Sequence, residues 1–73
     1  MNDYIVTDPN ICHGKPSFRG TRIPIYLVLE LLEAGQTHPQ ILAGYPQLTV
    51  DHIKAALHFA ANAMENWDEA ANA

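Results

Sequence analysis

The chain has 73 residues, one cysteine and a net charge of −4 from eight acids against four bases. That length allows one domain with a thin stability margin, one that buries only about 60% of its unfolded surface. A single cysteine rules out an internal disulfide and suits a reducing compartment. The acidic balance argues against generic polyanion binding, and no apolar run reaches the ~18 residues of a membrane span.

The opening MNDYIVTDPN carries acid and no basic n-region, so no leader is expected and the protein reads as cytoplasmic. Tyr4 to Thr7 is rich in β-formers, and Asp8-Pro9-Asn10 ends it in a turn. Ile11 to Ile23 reads as irregular or briefly extended. Within it, Arg19-Gly20 forms a tight turn between Ser17-Phe18 and Thr21-Arg22-Ile23. Residues 1–23 are expected to make a β arm and turn-rich segment, and 24–70 a helical bundle, within a single domain.

Pro24 suits the first turn of a helix, where its missing N–H would be unpaired anyway. The first helix is expected from Pro24 to Ala34, stopped by Gly35 in the left-handed region. Ile25, Val28, Leu29 and Leu32 give it an apolar stripe. Tyr26, Leu27 and Leu31 lie on the other side, with only Glu30 and Glu33 polar. A helix apolar nearly all round is normally buried all round. Two further helices cannot cover it, which predicts a homodimer with Tyr26, Leu27 and Leu31 between the chains. Association is a common source of stability for domains this small.

Thr37 is the expected N-cap of a short second helix. Pro39 falls in its first turn, Ile41 and Leu42 point inward, and Gly44-Tyr45-Pro46 ends it. Thr49 is expected to cap a third helix of about 16 to 20 residues, with Asp51 at its positive end. Its predicted inward stripe is Ile53, Ala56, Leu57, Ala60 and Met64, continued by Trp67.

Helix, short helix, tight turn, long helix is the order of a helix-turn-helix, whose last helix enters the major groove. The expected outer face of the third helix holds Asp51, Lys54, Ala55, His58 and Asn62. Lys54 suits a phosphate or guanine, Gln47 and Thr49 suit phosphates, and His58 shares the face. A packed bundle with a solvated face explains the same pattern without DNA.

The stretch GKPSFRGTRIP holds Lys15, Arg19 and Arg22, three of the four basic residues. Residues 10–25 carry +3, while Glu65, Asp68 and Glu69 place −3 near the other end. Arginine forks match carboxylate and phosphate. The cluster therefore flanks a DNA backbone, docks on an acidic partner, or pairs at home with Asp8 or Glu30. Trp67, with Met64 and Tyr45, either lids the core or anchors another chain. No catalytic, cofactor or metal set stands out, so no enzyme is expected. Cys12 adjoins His13 without a second sulfur ligand, and His52 and His58 are six apart on different helix faces. Cys12 reads as a small buried hydrophobe.

Together these residues carry a family pattern. The run from Ile5 to about Ala61 resembles a bacterial and archaeal family filed as domain of unknown function 433. The matching pieces include Asp8-Pro9, CHGKP from Cys12 to Pro16, RGTRIP from Arg19 to Pro24, LLEAG from Leu31 to Gly35, and Leu48-Thr49. Members are often described as VapB-like antitoxins encoded beside a PIN-like nuclease toxin. The resemblance implies a helix-turn-helix fold, a dimer, toxin binding and DNA-linked autoregulation. His13 stands where a second glycine is expected, and Ser17 where an aliphatic residue is. If that glycine needs positive φ, His13 has to tolerate it.

The expected fold is mainly α: a three-helix helix-turn-helix domain, winged or homeodomain-like, with a short N-terminal β arm or hairpin. The expected function is the antitoxin of a type II toxin–antitoxin pair, inhibiting a PIN-like ribonuclease and binding operator DNA. Lys15, Arg19, Arg22 and Trp67 would meet the toxin, with Arg19 or Arg22 neutralising its metal-binding acids. A stand-alone transcription regulator and a dimerisation module without DNA contact are the alternatives.

Overall fold

A computed structural model describes the backbone of residues 2–72 and the side chains of residues 3–66. Trp67, expected inward or as a partner anchor, lies outside the described side chains. A 3-10 turn at Asn2–Tyr4 leads into β1 (Ile5–Val6), and a second at Cys12–Gly14 precedes β2 (Ser17–Phe18). Then come α1 (Ile25–Glu33), α2 (His38–Gly44) and α3 (Val50–Asn72). The described residues are thus mainly helical, three helices with one short antiparallel hairpin.

The hairpin pairs Ile5 with Phe18 and Val6 with Ser17. Phe18 is fully buried, and Ile5 leans on the same core. Ser17 is fully buried too, and its hydroxyl donates to the Val6 carbonyl at 3.5 Å. That bond lets a polar side chain stand where an aliphatic one was expected. Beyond β2 the chain reverses at Arg19-Gly20. The Thr21 N–H donates to the Phe18 carbonyl at 3.0 Å, and Gly20 has φ +78°. A type II turn requires that left-handed value at its third residue, and glycine supplies it without strain.

α1 begins one residue later than predicted. Pro24 is extended (φ −74°, ψ 151°) and bridges Ser17, so it is the N-cap and not the first helical residue. The far end closes as a Schellman motif. Gln36 N–H donates to the Leu31 carbonyl and Gly35 N–H to that of Leu32, with Gly35 at φ +91°. α2 starts with a complete capping box between Thr37 and Gln40.

The core gathers Phe18, Ile25, Val28, Ile41, Leu48, Ile53 and Ala56. Here the phase of α3 differs from prediction. Ala55, expected outside, is fully buried, while Leu57 and Met64, expected inside, are 45% and 64% exposed. The reason is long-range. The N-terminal turn packs on α3 beside α1, and Tyr4 and Phe18 stand edge-on to His52 at ring centroid distances of 4.8 and 5.4 Å. Covering the His52 side turns the buried arc away from Leu57. The same segment helps clothe the domain. Leu27 and Leu31, predicted to lie between chains, are half-buried against the chain's own core. Of the three residues predicted there, Tyr26 is the exposed one, at 48%.

Candidate interaction surface

The loop from Ile11 to Ile25 is built by backbone bonds. Cys12, His13 and Gly14 take φ values of 52°, 57° and 81°, three successive left-handed residues. Gly14 N–H donates to the Ile11 carbonyl at 3.0 Å and Lys15 N–H to that of Cys12 at 3.1 Å. His13 therefore does tolerate positive φ. Left-handed geometry costs a residue with a Cβ about 1–2 kcal/mol, so the surroundings must hold it. They do so through Asp8, which accepts from Ile11 N–H at 2.9 Å and, at its carboxylate, from Asn10 N–H at 2.8 Å. Cys12 is half-buried, not buried as predicted, and its thiol donates to the Arg22 carbonyl at 3.3 Å.

That thiol joins the left-handed turn to the Arg19-Gly20 turn. Thr21 fastens the second turn from within, donating its hydroxyl to the Phe18 carbonyl at 2.8 Å and accepting from Ile23 N–H at 3.0 Å. Beside it opens a cleft of about 490 Å³ lined by Ile11, Gly20, Thr21, Arg22, Ile23 and Gln47. Arg22, predicted to meet a protein, and Gln47, predicted to meet DNA, thus share one concavity.

The other two basic residues go elsewhere. Arg19 ties down the N-terminal segment: its Nε donates to the Asp3 carbonyl at 3.0 Å, and its backbone N–H to that of Tyr4 at 2.8 Å. The Lys15 ammonium lies 5.0 Å above the Tyr26 ring on α1. A tight turn inside the basic stretch separates Arg19 from Arg22, so closeness in sequence does not become one patch.

Of the residues predicted to meet DNA, Thr49 is committed to its helix. Its N–H donates to His52 Nδ1 at 3.0 Å, and its hydroxyl lies 2.9 Å from the same atom. Nδ1 thus accepts, which places the ring proton on Nε2. His52 thus supplies one half of a capping box, its side chain accepting from the Thr49 N–H, while filling the gap between Tyr4 and Phe18. The spacing was visible in the sequence, although histidine is not the usual partner. His58 accepts from Asn62 at 3.1 Å one turn along, and Lys54 is exposed on the outer face. Among the described residues no group of three His, Cys, Asp or Glu side chains could hold a metal ion. No described helix is long and apolar enough to cross a membrane.

Comparison with known proteins adds three findings. The profile of the family described as "Protein of unknown function (DUF433)" matches residues 5–60. A Sinorhizobium fredii (strain NBRC 101917 / NGR234) protein named "Uncharacterized protein y4eO" is 33% identical over 58 residues, which are 80% of this chain and 26% of that protein. The crystal structure of a DUF433 member protein from Anabaena variabilis ATCC 29413 superposes with a TM-score of 0.81 at 31% identity, over 92% of this chain and 66% of that one. The chain therefore spans about a quarter of the first relative and just under two thirds of the second.

Proposed function

The chain belongs to the DUF433 family, and we propose that it is an interaction protein of the antitoxin kind that inhibits a PIN-like ribonuclease. One observation carries this reading. Arg22 is exposed at the rim of an open cleft, on a loop whose backbone is locked by the Cys12 thiol and the Thr21 hydroxyl. A guanidinium displayed from a rigid loop loses little freedom on meeting a carboxylate cluster, and its planar fork matches carboxylates in pairs. Gln47 beside it supplies a further amide. Arg19 has a different role here, because its Nε is already engaged on the N-terminal segment. The test is co-purification with the product of the adjacent reading frame and an RNA-cleavage assay. Arg22→Ala should lose inhibition while remaining folded. Undiminished inhibition by that variant would overturn the assignment.

A second reading, operator binding in the helix-turn-helix manner, is favoured by one feature. A five-residue connection, 45–49, joins the capped α2 to α3, whose outer face carries Lys54. The winged or homeodomain-like assignment belongs to this reading. A shift assay on the DNA upstream of the gene, repeated over a range of salt, checks it. Phosphate contacts release counterions, so the logarithm of affinity should fall linearly with that of salt. The antitoxin reading places the chain in the cytoplasm and includes a homodimer.

A further inference from the structure

α3 runs on past the body it packs against. Among its described side chains Ala56 is the last fully buried one, Phe59 and Ala60 are half-buried, and every residue from Ala61 to Asn66 is exposed. On its outer side Val50, Leu57 and Met64 are 42%, 45% and 64% exposed. They recur every seven residues, with Ala61 four after Leu57 on the same side. Seven residues fall about 20° short of two turns, so these side chains form a nearly straight seam of the sort that helix pairs bury. Neither a solvated face nor a groove-reading face needs one.

Charge selects what covers it. Lys54 and Glu65 are both exposed and eleven residues apart, three turns or about 16 Å, on the same flank of the seam. Two parallel copies would turn these flanks to opposite sides of the contact and leave both charges without a partner. Two antiparallel copies, with the dyad near Phe59 and Ala60, set Lys54 of each beside Glu65 of the other. That register also lays Leu57 against Ala61 of the second copy, large against small, and Met64 along the stem of its Lys54. We propose that a second copy of this chain docks antiparallel along the outer face of α3, through the Leu57 and Met64 seam and two symmetric Lys54–Glu65 pairs. The contact rests on the homodimer in the reading above and is independent of the nuclease; because it covers Lys54 on the outer face of α3, it competes with the operator reading for that face. It replaces α1 as the interface, since Leu27 and Leu31 already lean on their own core.

Sedimentation velocity on the full chain at micromolar concentration tests it, with circular dichroism as the check on folding. The wild-type chain should sediment as a dimer. Lys54→Glu and Glu65→Lys should each weaken association about tenfold, because both symmetric pairs become repulsions, and the double variant should recover it. Leu57→Asp should give a folded monomer, whereas Tyr26→Ala should leave the dimer intact. A wild-type monomer overturns the proposal, as does a dimer indifferent to Lys54→Glu or one lost through Tyr26→Ala and kept in Leu57→Asp. A wild-type monomer whose Leu57 is needed only for binding DNA or another protein overturns it too. Failure to bind a nuclease counts against the preceding reading and leaves this contact standing; a monomer that still inhibits one does the reverse.

Discussion

The loop from Ile11 to Ile25 and the outer half of α3 are made in opposite ways. The loop has almost no regular structure, yet nearly every turn in it is fastened: left-handed residues at 12–14, a glycine turn at Gly20, a thiol and a hydroxyl each on a carbonyl. It is complete within one chain, and it spends conformational strain to display Arg22. α3 is 23 residues of regular helix, and beyond Phe59 and Ala60 its described side chains are exposed. Its order comes from local propensity and a repeating pattern, and its apolar side is unfinished. A small acidic domain can therefore hold two surfaces of different logic. One is pre-shaped by the backbone for a single contact, and the other is periodic and suited to a helix like itself.

Variants that break one region and spare the other sharpen this contrast. The largest effect belongs to Phe18, fully buried between hairpin and helices. Phe18→Ala should cost about 3–5 kcal/mol and release the loop together with the core, read by urea unfolding. His52→Ala removes the acceptor for Thr49 and the ring between Tyr4 and Phe18. A loss of about 1–2 kcal/mol is expected, with amide exchange rising at both Thr49 and the N-terminal turn. Gly20→Ala meets no atom within 4 Å of the new Cβ, so its cost is conformational alone at φ +78°. About 1 kcal/mol should be lost in thermal melts, with the α3 seam untouched. His13→Gly has the opposite sign. Relief of the left-handed strain should raise stability by up to about 1 kcal/mol, and unchanged or lower stability would mean that the histidine ring makes its own compensating contacts.

Local signals were legible. Gly35 stops α1 where its position suggests, Thr37 and Thr49 stand at the starts of α2 and α3, and Arg19-Gly20 reverses the chain. Each depends on residues within four positions of one another. What the sequence hid is long-range. Tyr4 and His52 lie 48 residues apart, and their contact decides which side of α3 is covered. A helical wheel centred on α1 alone turns Leu57 inward and Ala55 outward. Leu27 and Leu31, which look uncovered on a wheel of α1 alone, are half-buried against the core. The basic stretch misleads for a third reason: charge density along a chain says nothing of direction, and one glycine turn sends Arg19 to the N-terminus and Arg22 to the cleft.

The most direct trial of the account mixes two chains that should each be unable to pair with themselves. Lys54→Glu alone and Glu65→Lys alone leave only like charges across an antiparallel seam, while one of each restores two opposite pairs. Each variant should sediment as a monomer at a concentration where the equimolar mixture sediments as a dimer. Two variants that dimerise separately, or a mixture that stays monomeric, would contradict the claim that α3 is completed by its own copy.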